Sequence, residues 1–163
     1  QLTYSAFSQF ASLRLYGNGY MPSGMDDTSW KAALDGRYLS DVTIEYGVKS
    51  IMDDAFYGEV YLKNINLPNS IERIGHYAFA GTSISYVKLP RKLVYFDNMM
   101  FDSTQIKNYA VDSSNENYSA VDGVLYSKDK SVLVAFPADL LKDLIAMVIL
   151  YRIMTIPLKF HLM

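Results

Sequence analysis

Few side chains in this sequence have the types and spacing that catalysis or metal binding requires. His76 and His161 are its only histidines and it has no cysteine. Disulfide frameworks, thiolate metal sites and cysteine nucleophiles are thereby excluded, and a Ser/His/Asp triad or a histidine-based zinc site has little to draw on. No second ligand stands at helical or strand spacing from His76, so it reads as a solvent-facing turn residue rather than a metal ligand. The acidic run Asp112-Ser113-Ser114-Asn115-Glu116-Asn117, followed by Asp122-Gly123, offers carboxylates and carbonyls to Ca²⁺. It departs from the D-x-[DN]-x-[DN]-G order of a calcium loop, and Asp, Asn and Ser in such a run form Asx turns. Gly17-Asn18-Gly19 lacks both the G-x-G-x-x-G spacing and a Lys-Ser/Thr pair, so it is turn chemistry and not a phosphate cradle. Asn117-Tyr118-Ser119 is a formal N-glycosylation acceptor. No paired carboxylate, nucleophile or ligand set emerges. The chain is expected to be no enzyme and to carry no cofactor and no metal.

Composition supports a binding or structural role. The 163 residues carry 15 basic and 17 acidic side chains, net −2, with 14 Tyr, 8 Phe and one Trp. One domain of this length buries a sizeable core. The charge balance gives no electrostatic footprint for nucleic acid. No signal peptide is legible from Gln1 onward. The longest charge-free apolar run near the end, Leu144 to Tyr151, is eight residues, far short of the about 20 that a membrane span needs.

What the chain does possess is a repeat. Ala55-Phe56, Ala78-Phe79 and Met100-Phe101 recur at 23 and 22 residues. Upstream of each lies a second apolar pair, Val48/Ile51, Ile71/Ile74 and Leu93/Phe96, at the same spacings. Ahead of these run Leu39-x-x-Val42-x-Ile44, Leu62-x-x-Ile65-x-Leu67, Ile84-x-x-Val87-x-Leu89 and Ile106-x-x-Tyr109-x-Val111. A period of 20–29 residues with an L-x-x-L-x-L run signals a leucine-rich-repeat solenoid. One such unit is too small to bury its own apolar face, so units must stack. The expected fold is a right-handed superhelix of short parallel β-strands with β-hairpin caps. Ile65 should lie between Val42 and Val87, and Phe79 between Phe56 and Phe101. His76 then occupies a slot filled by Asp53 and Asn98 in the neighbouring units, as a solvated turn position would.

The units themselves, Ile71-Glu72-Arg73-Ile74-Gly75-His76-Tyr77-Ala78-Phe79 followed by Ile84-Ser85-Tyr86-Val87-Lys88-Leu89-Pro90, resemble the BspA-type leucine-rich repeat family. The likeness extends to Leu2-Thr3-Tyr4 through Pro22 with Trp30, and to Asn117 through Asp129 ending at Phe136-Pro137, which resembles a hairpin insertion. The resemblance implies a secreted or cell-surface, non-enzymatic protein of adhesion or protein interaction. The family often carries Cys shortly after the Ala-Phe pair, where this chain has Gly58, Gly81 and Asp102. The pattern stops after Ala138. Thr155-Ile156-Pro157 echoes a further unit that Leu158 to Met163 does not continue.

Four segments are expected. Residues 1–38 form an N-terminal cap, with a hairpin turning at Ser8 to Ser12 and a short helix to about Leu34 that Ser29 or Asp27 would cap. Residues 39–111 are the repeats, and 112–137 a hairpin that turns at Ser127 to Lys130. Residues 138–163 are an atypical tail in which Leu140, Leu141, Leu144, Ile145 and Val148 have the spacing of an amphipathic helix lying on the last coil.

Strand alternation then picks out a candidate binding face. If Val42/Ile44, Ile65/Leu67, Val87/Leu89 and Tyr109/Val111 point inward, then Asp41, Thr43, Asn64, Asn66, Tyr86, Lys88, Asn108 and Ala110 point outward. Repeat solenoids bind partners on such extended faces, and tyrosine is favoured at interfaces. The expected partner is an extracellular-matrix or other cell-surface protein, or a surface glycan. The other reading is a structural spacer or an assembly unit that oligomerises through its C-terminal end.

Overall fold

A computed structural model describes residues 1–3, 8–21, 28–97 and 99–137, and of the remainder 140, 142–143 and 145–148. Asn98, Tyr4 to Phe7, Pro22 to Asp27, Leu141, Leu144, His161 and the Thr155 to Met163 stretch lie outside the described residues.

The repeat writes two parallel ladders. The first begins with β2 (Phe10–Leu15), β3 (Tyr38–Ile44) and β5 (Asn64–Asn66), in which Val42 pairs with Leu13 on one side and Ile65 on the other. It resumes as β7 (Tyr86–Leu89) and β9 (Asn108–Val111), in register from Tyr86↔Asn108 to Leu89↔Val111. β5 and β7 are neighbours but do not share a ladder. The expected single sheet is therefore two, and the Ile65–Val87 step is one of side-chain packing. The second ladder joins β4 (Ser50–Ile51), β6 (Arg73–Ile74) and β8 (Tyr95–Phe96) through Ile51↔Ile74↔Phe96. Between the ladders the chain turns at Leu67-Pro68 and Leu89-Pro90. Proline has no N–H for a ladder, and each Pro carbonyl instead accepts from three residues on, Ile71 N–H at 3.0 Å and Leu93 N–H at 3.2 Å.

Inside, like residues lie over like. Leu39, Leu62, Ile84 and Ile106 are buried in series. The Phe79 ring stacks between Phe56 (5.3 Å, 13°) and Phe101 (5.4 Å, 18°). Main-chain bonds follow the same path: Phe56 N–H donates to Ala78 O at 2.8 Å and Phe79 N–H to Met100 O at 2.8 Å.

Two residues after each of these phenylalanines the backbone is left-handed, at Gly58 (φ 75°), Gly81 (φ 70°) and Ser103 (φ 54°). Ser103, not Asp102, is thus the third member of that slot. A side chain there costs about 1–2 kcal/mol, partly offset by the greater entropy of an unfolded glycine. Ser103→Gly is therefore expected to stabilise the chain by about 0.5–1 kcal/mol, read as a higher denaturation midpoint.

The N-terminal end is capped, with differences from expectation. β1 (Leu2–Thr3) pairs antiparallel with β2 through Leu2↔Leu13 and Thr3↔Ser12. Phe10 to Ser12, expected in the hairpin turn, are instead strand. Helix α1 spans Thr28–Ala33, so Ser29 lies within it and not at its N-cap. Trp30 rests on Phe56 at 5.9 Å.

At the other end the expected two-stranded hairpin is three-stranded: β10 (Tyr118–Val121), β11 (Val124–Ser127) and β12 (Leu133–Ala135), all antiparallel. The added strand turns at Asp122 (φ 51°) and Gly123 (φ 80°), the conformation that a two-residue Asp-Gly hairpin loop adopts. Residues 142–143 and 145–148 are helical, yet Leu140, Ile145 and Val148 are all exposed. Among the described residues this helix does not bury its apolar positions as expected. None of the described helices is long and apolar enough to cross a membrane.

Tyr109 faces inward beneath Phe101, and burial pushes its phenol up to about 12. An unfolded tyrosine ionises near about 10. Between about pH 10 and 12 the unfolded chain releases a proton that the folded chain keeps, so stability falls as pH rises through that window. Tyr109→Phe is expected to lose less stability than the wild type between about pH 9.5 and 11.5. Urea midpoints compared at the two pH values check this, since the other titrating groups are common to both proteins.

Candidate functional site

The outward face of the first ladder is built by alternation. In β3 the inner residues Val42 and Ile44 are buried while Asp41 and Thr43 are exposed. The same holds for Tyr86 and Lys88 around Val87 and Leu89, and for Asn108 beside Tyr109. Asn64 and Asn66 are exposed around a half-buried Ile65. Register sets Asp41 beside Asn64, Thr43 beside Asn66, and Tyr86 beside Asn108. All seven candidate residues therefore share the outer side of the strands, two each on β3, β5 and β7 and one on β9.

Their polar groups are largely uncommitted. The side chains of Asn64, Asn66, Tyr86 and Asn108 make no hydrogen bond to other described residues. Asp41 accepts from Ser40 Oγ at 2.6 Å, and Lys88 Nζ stands 4.0 Å from Asp112. An exposed pair at that distance contributes little to stability. The face thus presents amides, one carboxylate, one hydroxyl, one ammonium and one phenol ring that is about half exposed (52%). Such groups donate and accept hydrogen bonds.

The face also reaches further than alternation within the repeats implies. β2 adds Ser12 beside Asp41 and Arg14 beside Thr43. Arg14 is ion-paired with Glu45, its Nε donating to Oε1 at 2.8 Å. The Leu13-Arg14-Leu15 alternation is the signal that could have revealed this row. A second, separate polar cluster lies along the other ladder. Tyr20 hydroxyl donates to Glu72, Lys49 Nζ stands 3.5 Å from the same carboxylate, and Arg73 lies 4.6 Å over the Tyr95 ring. The bond from Tyr20, then the nearby Lys49, hold the Glu72 carboxyl below the ordinary range.

The remaining candidates are built into the fold. His76 Nδ1 is 2.8 Å from Asp97 Oδ1, and His76 N–H donates to Asp53 Oδ1 at 2.8 Å. The slot is exposed, but it also stitches one repeat to the next. Asp97 is held low first by the Met99 N–H it accepts and then by His76. No group of three or more metal-ligating side chains occurs among the described residues. In the acidic loop, Asp112 Oδ1 accepts from Ser114 N–H at 3.0 Å in an Asx turn. The Lys128 ammonium donates to the carbonyls of Ser113 (3.4 Å) and Asn115. The acceptor amide of the glycosylation motif, Asn117 Nδ2, donates to Leu93 O at 3.2 Å. Gly19 bonds the first repeat on both sides, to Gly47 O at 3.0 Å and from Lys49 N–H at 2.8 Å, so the Gly17-Asn18-Gly19 run is a structural turn.

Against known families, residues 31–129 match the BspA type leucine rich repeat region, in six copies. No curated protein matches the chain. Among solved structures, a leucine-rich repeat protein from Eubacterium ventriosum is similar over 80% of this chain and 46% of its own, at 20% identity and a TM-score of 0.50. The pneumococcal vaccine antigen PcpA is similar over 82% of this chain and 53% of its own, at 21% identity and a TM-score of 0.45. The chain therefore spans about half the length of these two solved chains. At such identities the first likeness speaks to the fold alone.

Proposed function

This chain belongs to the BspA-type leucine-rich repeat family, and from that we propose that it is a non-enzymatic protein-interaction module of a secreted or cell-surface protein. In this reading the stacked repeats form a short right-handed solenoid that presents the polar strand face to an adhesion partner, a protein of the extracellular matrix or of another cell surface. The observation that carries it is the row of exposed side chains Asp41, Thr43, Asn64, Asn66, Tyr86, Lys88 and Asn108 on one side of the strands. Four of these make no hydrogen bond among the described residues, so a partner can engage them without first breaking a bond. Tyr86 contributes a rigid, amphipathic ring of the kind that interfaces favour. A protein partner fits this mixture of amides, charge and phenol better than nucleic acid does, because the chain carries a net charge of −2.

The test is a binding screen of the whole chain against purified extracellular-matrix proteins, with surface glycans alongside. Saturable binding to a protein supports the reading. Binding to glycans alone moves the partner class. No binding by any member of the panel favours a spacer or assembly unit within a longer surface protein.

A further inference from the structure

The position just before the first inward residue of each coil is one slot of the repeat. Tyr38 precedes Leu39, Tyr61 precedes Leu62 and Ser83 precedes Ile84. On the capping strand β2, Phe10 is in register with Tyr38. Stacking of the coils therefore gathers three rings at the start of the first ladder. The Tyr38 and Tyr61 centroids are 4.4 Å apart, with their planes at 42°. Phe10 packs against both, 6.1 Å from Tyr38 and edge-on at 5.6 Å from Tyr61. All three rings are exposed.

Two phenols placed in this way have a chemistry that neither has alone. A tyrosyl radical couples through the ring carbon next to its oxygen. Two phenol rings joined directly by such a carbon–carbon bond have their centroids about as far apart as those of Tyr38 and Tyr61. The other exposed tyrosines lack such a neighbour. Tyr46 and Tyr86 make no ring contact with a tyrosine among the described residues, and Tyr57 meets Tyr77 only edge-on, at 6.0 Å and 69°. Phe10 holds the pair in place and has no phenol to oxidise.

We propose that Tyr38 and Tyr61 form an oxidative cross-linking site, joined as dityrosine when the chain meets hydrogen peroxide and a haem peroxidase. Each phenol gives up one electron and its hydroxyl proton, leaving two phenoxyl radicals. These couple between the two ortho carbons. Each of those carbons then releases its hydrogen as a proton, and each oxygen takes one back. Overall one carbon–carbon bond forms, two ring C–H bonds break, and the peroxide leaves as two molecules of water with the two electrons and two protons. The product ties together positions 23 residues apart in a chain that has no cysteine. It clips one coil to the next, as a disulfide would in another protein. The site does not depend on the polar strand face being a binding site.

The test treats the full chain, at low micromolar concentration, with peroxidase and hydrogen peroxide. The expected product is a monomer lighter by two hydrogen atoms, with the blue emission of dityrosine. Trypsin should release segments 38–49 and 50–63 as one linked species, and fragmentation should place the bond at Tyr38 and Tyr61 and not at Tyr46 or Tyr57. The linked monomer should melt about 5–10 °C higher, as closure of a loop of this length brings. Tyr38→Phe and Tyr61→Phe each keep a ring and remove one phenol. Each should abolish the linked species with unchanged circular dichroism, whereas Tyr57→Phe should leave it. Unfolding in urea before oxidation should lower the yield at least about tenfold, because the preset approach of the two rings is lost. The proposal is overturned if oxidation gives no linked monomer, if the link joins other tyrosines, if urea leaves the yield unchanged, or if the linked monomer melts no higher than the free chain.

Discussion

Phe79→Ala is expected to cost about 3–5 kcal/mol, the loss of a fully buried aromatic plus the cavity it leaves. Phe79 is 0% exposed and touches a ring on each side, so its removal deprives Phe56 and Phe101 of their shared partner. A loss of that size is a large part of the stability of a single domain. Denaturant unfolding, compared with Tyr57→Ala on an exposed ring of the neighbouring turn, measures it. The surface change is expected to cost under about 1 kcal/mol. Equal effects from the two would show that the aromatic stack does not carry the fold. Because the three rings touch in series, Phe79→Ala and Phe101→Ala should be non-additive.

Asn115→Ala has the second large effect, and here the cause is polar. Asn115 is 0% exposed. Its amide donates to Pro90 O at 2.8 Å and Leu93 O at 3.2 Å, and its carbonyl accepts from Asn117 and Tyr118 N–H, both at 2.8 Å. One side chain therefore pins the start of β10 to the turn between β7 and β8. Truncation strands the Asn117 and Tyr118 N–H groups, each costing about 1–3 kcal/mol where water cannot reach, and takes one of two donors from each of the Pro90 and Leu93 carbonyls. A loss of at least roughly 3 kcal/mol is expected once partial rehydration is allowed for. Hydrogen exchange should show it first across 118–127. Asn115→Asp keeps the acceptor and loses both donors, so it too should destabilise. A neutral Asn115→Asp would mean that the bonds to Pro90 and Leu93 contribute little.

These two residues differ in how far the sequence reveals them. Phe79 belongs to a series that recurs every 22 or 23 positions, and stacking follows once each unit is too small to bury itself. The inward series Leu39, Leu62, Ile84 and Ile106 is legible for the same reason, and so is the exposure of Asp41, Asn64 and Tyr86 that alternation dictates. Asn115 is a polar residue in a run of Asp, Ser and Asn, where local chemistry predicts only turns. Its burial depends on carbonyls 22 and 25 residues earlier. The pairing of β2 with β3 was hidden likewise, because Leu13-Arg14-Leu15 stands outside the period. The break between β5 and β7 left no trace in a pattern that runs unbroken through both. At the candidate face, Arg14 was missed for want of that pairing. The uncommitted state of Asn64 and Asn66 is a property of their surroundings that spacing does not encode.

The most direct test of the strand face joins Asn64→Ala, Asn66→Ala, Tyr86→Ala and Lys88→Ala in one chain. All four residues are exposed, so the variant should keep the wild-type circular dichroism and a thermal midpoint within a few degrees. Its affinity for the protein partner found by the screen is then measured beside the wild type. The account predicts a loss of at least about 100-fold, as removal of a central tyrosine and its polar neighbours brings at an interface. A folded variant that binds with wild-type affinity would contradict the assignment of this face.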